Sequence, residues 1–184
     1  MPRDTTGERR VAAIRSFAAS VLMLTLAASA TKQPAYAPPP PVATPSQPAP
    51  SAAVFVATNG SIDLFVIRSS ALALQRSSSP RVRDFASRMI AAHKGTSAQL
   101  SLAGRRLNLL PSASLRPAEQ AMLDALEASG SFDADYIRDQ RRVHQEAIAL
   151  DSAFAANGPS PTLKPVASAA LSIEQKHLKL LAYL

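Results

Sequence analysis

From Ser51 to Leu184 apolar residues recur at spacings of three and four, and no long alternating stretch suggests a strand. This periodicity restricts that part of the chain to amphipathic helices that must bury one stripe against each other. A first helix is expected over roughly 52 to 75, with Phe55, Ile62, Val66, Ile67 and Leu74 on a broad apolar stripe. Ser77-Ser78-Ser79-Pro80 ends it and starts the second. Ser79 is a natural N-cap there, and Pro80 suits the first helical position, where an N–H would be unsatisfied anyway. The second helix carries Val82, Phe85, Met89, His93, Leu100 and Leu107 and stops between Asn108 and Pro111. A short helix follows Pro117, with Ala121, Met122, Leu123 and Leu126, and breaks at Ser129-Gly130. The next long helix begins near Phe132 or Asp133, shows Tyr136, Val143, Ala147, Leu150 and Phe154, and ends at Asn157-Gly158-Pro159. The last cannot start before about Thr162, because Pro165 belongs in a first turn. It continues through Leu163, Val166, Ala170, Ile173, His177 and Leu180 to Leu184. The expectation is an all-α four-helix bundle with a short extra helix between its second and third long members.

The first fifty residues have no place in that bundle. Arg3, Arg9, Arg10 and Arg15 make a basic start, and Ser16 to Ala30 is an uncharged apolar run, short for a bilayer span of about 20 residues. The run closes on Ala28-Ser29-Ala30, the small-x-small pattern that a signal peptidase needs, so residues 1–30 read as a signal peptide. Ala35-Tyr36-Ala37 is a second cleavage candidate, and an uncleaved N-terminal anchor is the alternative. Residues 31–50 form a proline-rich linker: Gln33 to Pro50 holds eight prolines and no charge. Such a stretch favours an extended polyproline II spacer and cannot enter a packed helix. The bundle domain is then 51–184, and the expected location is the periplasm or the cell envelope.

There is no cysteine, which removes disulfides, thiolate metal ligands and lipid-anchoring cysteines. Of 20 Lys+Arg and 13 Asp+Glu, 16 and 11 lie beyond residue 30, so the mature form is near +5. A basic surface of this kind suits anionic envelope surfaces as partners. With three tyrosines and no tryptophan to stack on bases, nucleic acid is not an expected partner. The oligomeric state stays open.

The three histidines fall one each on the second, third and fourth long helices. His93 and His177 lie on the apolar stripes, and His144 one position off its stripe. Asp63 and His93 are each fifteen residues from Ser78, or about 22 Å along a helix at 1.5 Å per residue. His144 and Glu174 are likewise fifteen residues from Pro159, with His177 about one turn further on. All five therefore sit near mid-height whether the bundle runs up-and-down or contains a crossover. Facing helices that contribute carboxylate and imidazole groups are how bundles hold metal ions, and Glu174-x-x-His177 puts both side chains on one helix face. Imidazole suits Zn, Cu, Fe or Ni. The candidate ligands of one transition-metal ion are thus His93, His144, His177, Glu174 and Asp63. The competing reading makes each histidine a core residue with its own hydrogen-bond partner.

Four segments together resemble an exported bacterial family called domain of unknown function 4142. They are Ser61-Ile62-Asp63-Leu64, Phe85 to His93 (FASRMIAAH), Phe132-Asp133-Ala134-Asp135-Tyr136 through His144, and Lys176-His177-Leu178. The resemblance spans roughly Phe55 to Leu184 and implies a periplasmic, ferritin-like helical bundle without an established activity. Members commonly offer Glu where this chain has the shorter Asp63. Relative to di-iron proteins, Ile90 stands three before His93 and Arg141 three before His144, so only the last helix shows Glu-x-x-His. Two bridging carboxylates are lacking, which favours a mononuclear site, or none, over an oxidase centre. The two main function classes are a metal-binding envelope protein and a non-catalytic structural or interaction module. An enzyme is the weakest class, because no nucleophile is paired with a recognisable base and no glycine loop could cradle a phosphate.

Overall fold

The computed structural model describes residues 49–184. The expected signal peptide and most of the proline-rich linker lie outside the described residues. Five α-helices follow: α1 (Ala52–Arg76), α2 (Pro80–Arg105), α3 (Pro117–Glu127), α4 (Phe132–Asn157) and α5 (Lys164–Leu180), with a 3₁₀ turn at Leu181–Tyr183. No strand occurs among the described residues. Ser51 caps α1 by accepting from the Val54 N–H (3.3 Å), and Ser79 caps α2 by accepting from the Val82 N–H (3.4 Å). Past the end of α2, Asn108 takes a left-handed conformation (φ 59°), which asparagine tolerates and which reverses the chain. The last helix differs from expectation at both ends. Leu163 is a buried flanking residue rather than part of it, and α geometry gives way to 3₁₀ after Leu180.

The helix directions follow from two apolar clusters. One joins Phe65, Phe85, Leu126, Phe132, Tyr136 and Leu181, so it gathers the C-terminal half of α1, the N-terminal halves of α2 and α4, and the end of the chain. The other joins Phe55, Leu100, Phe154, Leu163 and Ala167, drawn from the opposite ends of the same helices. Hence α1 and α2 are antiparallel, α4 and α5 are antiparallel, and α2 and α4 point the same way. The segment between α2 and α4 must travel the length of the bundle, the single-crossover connectivity of ferritin-like bundles. By length and composition α1 could cross a membrane, but it is the inner helix here, with 61% of its most apolar window buried.

The crossover lies along α1 and is fastened at three heights. Gly60 lets it approach, since a Cβ there would stand 2.6 Å from the Pro111 Cβ. Higher up, Ser61 Oγ donates to Glu119 (2.9 Å) and accepts from the Arg116 N–H (2.8 Å). Arg116 in turn donates to Glu119 (2.9 Å), Glu146 (2.9 Å) and the Thr58 hydroxyl (3.2 Å). At the top, Arg76 donates to the carbonyls of Leu126 (3.0 Å), Glu127 (2.7 Å) and Ser129 (2.7 Å), closing the end of α3. Its guanidinium also stacks over the Phe132 ring, 4.6 Å from the centroid.

Candidate metal centre

Between the two apolar clusters the interior is polar. Each helix keeps its inward stripe but changes chemistry at mid-height: Asn59 and Asp63 on α1, His93 and Thr96 on α2, Gln140, His144 and Asp151 on α4, Glu174 and His177 on α5. The helical spacings of three, four and seven put these groups on the same faces as Phe55, Met89, Ala147 and Leu181.

The three imidazoles form a near-equilateral triangle, with every pair of ring centroids 5.4 Å apart. Glu174 stands beside it, with its oxygens 3.8 Å from His93 Nε2 and 3.5 Å from His144 Nε2. One donor atom from each of His93, His144, Glu174 and His177 lies within 4.8 Å of all the others. His93 and His144 are completely buried. His93 Nε2, His144 Nε2, Glu174 Oε2 and His177 Nδ1 are all buried without a hydrogen-bond partner.

The outer faces of two rings are fixed. His144 Nδ1–H donates to the Gln140 carbonyl (2.6 Å) and His93 Nδ1–H donates to Asp63 Oδ1 (2.8 Å), so both Nε2 atoms turn a lone pair toward the centre. Thr96 Oγ also donates to Asp63 Oδ1 (2.8 Å) and holds that carboxylate in place. Asp63 therefore stands behind His93 instead of joining the four converging groups. Its short side chain fits this position, and the carboxylate–histidine pair is a recurrent support of metal-binding imidazoles.

The electrostatics favour the neutral form at two of the three imidazoles. Burial, aided by the neighbouring His93, lowers the His144 pKa to about 3. Burial, with His93 and Lys176 nearby, lowers that of His177 to about 4. For His93, burial opposes the charged form, but the Asp63 hydrogen bond and the carboxylates of Glu174 and Asp151 outweigh it and raise the pKa. Burial raises Glu174 to about 7, and the charge on Asp63 adds to the rise.

Asp151 is a further buried carboxylate, which the sequence reading passed over. Its Oδ1 accepts from Asn59 Nδ2 (2.9 Å), and its Oδ2 is buried without a partner. Burial, together with Glu174 and Asp63, raises its pKa to about 7. The available signal was its place seven residues after His144, on the same helix face.

Fold and centre together define an all-α bundle with a His₃Glu cluster enclosed at mid-height. The chain belongs to the family DUF4142, a domain of unknown function, whose model matches residues 37–184. No curated protein matches it. Among solved structures, CopM in its Cu(I)-bound form is similar at 18% identity and TM-score 0.61, covering 72% of this chain and 94% of that one. CopM in its Cu(II)-bound form is similar at 18% identity and TM-score 0.62, covering 73% and 95%. A DUF305 fragment from Deinococcus radiodurans is also similar, at 18% identity and TM-score 0.62, covering 74% and 96%. At these identities the likeness concerns the fold.

Proposed function

We propose that this protein is an exported metal-binding bundle that holds one transition-metal ion between His93, His144, His177 and Glu174. The observation that carries this reading is the convergence of four buried donor atoms that lack any other partner. Such atoms are costly to bury, about 1–3 kcal/mol each for neutral groups and more for a carboxylate. The Glu174–imidazole separations of 3.5 and 3.8 Å are too long for hydrogen bonds that would satisfy them directly. They are close to the roughly 3–4 Å between donors that share an ion at about 2.0–2.1 Å.

Three imidazoles and a carboxylate are borderline-to-hard donors that suit Zn(II), Cu(II), Fe(II) or Ni(II). CopM, similar in fold, is copper-bound in two of its forms, which supports a late transition metal. Without thiolate or thioether among these donors, Cu(II) fits better here than Cu(I). Export rests on the signal-like residues 1–30, and mass spectrometry of envelope material should give Thr31 as the N-terminus. Retention of Met1 to Ala30 would refute cleavage.

The test of the centre is elemental analysis and metal titration of the untagged protein. One equivalent of ion should bind, His144→Ala should lose it while the helical circular dichroism is kept, and Asp63→Asn should weaken affinity about 10–100-fold without abolishing it. Absence of stoichiometric binding for all four metals would overturn the proposal.

A further inference from the structure

A narrow crevice runs from the surface between α1, α2 and α5 down to the centre. Gln99 stands at its exposed mouth, Asn59, Thr96 and Ala170 along its walls, and Asp63 and Glu174 at its floor. Its free volume is about 10 Å³, space for roughly one water molecule. Two features distinguish it from other hollows of the described surface. It ends on two of the buried carboxylates, and no Lys or Arg lines it. Four other hollows each carry at least one arginine: Arg106, Arg81 with Arg88, Arg76, and Arg116 with Arg142. In a mature form of net charge near +5, a path without Lys or Arg, lined by the amides of Asn59 and Gln99, the Thr96 hydroxyl and the two carboxylates together with apolar Phe55, Leu100 and Val166, is one that a small cation enters without repulsion. Those oxygens also replace hydration water step by step as the ion sheds it.

We propose that this crevice is the route by which a divalent cation, giving up its hydration water, reaches the His₃Glu centre, with Ala170 the residue whose small side chain keeps it open. The inference rests on the proposed metal function and adds how the ion arrives. Glu174 has a double place in it, as the last group on the path and a member of the centre. Ala170 lies one helical turn before Glu174 on the same face of α5 and lines the same crevice, so a larger side chain there projects into the path beside Glu174.

A route alters rates without altering the equilibrium, because entry and exit are slowed by the same factor and their ratio is conserved. The experiment uses the mature chain with Zn(II), a chromophoric chelator to follow uptake and release by stopped flow, and equilibrium titration alongside. Ala170→Phe should slow both uptake and release at least tenfold, with affinity within about twofold of wild type. Gln99→Ala, which widens the exposed mouth, should speed both. Circular dichroism and thermal melting verify that each variant is folded, and Ala170→Leu serves if the phenylalanine does not fold. Unchanged rates in folded position-170 variants that still bind one equivalent would overturn the route and leave the centre standing. A changed affinity with an unchanged uptake rate would equally overturn it, by making Ala170 part of the site's structure. Wild-type protein that binds no ion in the equilibrium titration removes the centre itself.

Discussion

Two of the buried polar clusters among the described residues, around Glu119 and around Glu174, are built on opposite terms. Around Glu119 every charge has a partner: the carboxylate accepts from Ser61 and Arg116, and Arg116 reaches on to Thr58 and Glu146. Around Glu174 the carboxylate and three imidazoles face one another with donor atoms unpaired. A buried group that is fully paired is explained by the fold it fastens, here the crossover on α1. One left unpaired adds nothing to the cohesion of the bundle, and that is the contrast on which the proposed metal centre rests.

The largest test of that contrast is a ligand that acts on one cluster only. At a free ion concentration about a thousandfold above Kd, binding should stabilise the bundle by about 4 kcal/mol and raise Tm by about 10 °C or more. Chelation should reverse the shift, and the shift should vanish in His144→Ala. The next test removes a carboxylate from each cluster in metal-free protein. Glu119→Ala strands Arg116 and Ser61 and should cost about 2–3 kcal/mol in chemical denaturation. Glu174→Gln strands no bonded partner and should change stability by less than about 1 kcal/mol. Equal losses in the two variants would erase the distinction.

Acidity separates the clusters with a smaller but signed effect. Burial works against the Glu119 charge, yet Arg116 and Ser61 hold its pKa below the ordinary 4.5. Its contribution is complete above that value and is lost as pH falls through the folded pKa, so Glu119→Gln should flatten the acid limb of the stability curve. Asp151 behaves oppositely. Its folded pKa of about 7 lies above the ordinary 3.8, so the folded state retains its proton longer than the unfolded chain. Its share of metal-free stability should therefore be lost as pH rises from about 4 to about 7. Glu174 shifts with the same sign and the depressed His144 and His177 with the opposite one, so that share is read as the difference between the wild-type and Asp151→Asn profiles. Urea midpoints measured across this range check both slopes, and a Glu119→Gln profile parallel to wild type below pH 4.5 would contradict the first.

Much of this was legible in the residues. Proline, glycine and serine punctuation set most helix limits to within a residue or two, because caps and breakers act locally, while the ends of α2 at Arg105 and α5 at Leu180 fell three or four residues short of expectation. The common height of His93, His144 and Glu174 followed from counting residues back to the two turns. The connectivity was not decided, since apolar stripes are the same for an up-and-down bundle and for one with a crossover. Arg76, Ser61 and Gly60 decide it through partners 45 or more residues away. Buried carboxylates were the other blind spot. Glu119 and Asp151 look like surface residues to any hydropathy pattern, and only their neighbours Arg116 and Asn59 make burial tolerable. Asp63 was found at its height, but its bond to the outer nitrogen of His93 was not foreseen, because spacing fixes a residue's height and not which ring its side chain meets.

Dividing the core by a polar layer also has a dynamic consequence. The apolar cluster at the α1–α2 turn is the larger, and it carries the Arg76 fastening and most of the aromatic rings. The cluster at the α4–α5 turn is smaller, and its Phe55 and Leu100 also line the crevice. Local breathing should therefore be uneven, with amides near Leu100 to Ala103 and Ala167 to Ala170 exchanging with solvent sooner than those of Phe85 to Met89. The loosely held end is the one from which an ion would enter, and the tightly held end keeps the histidines in register while it does.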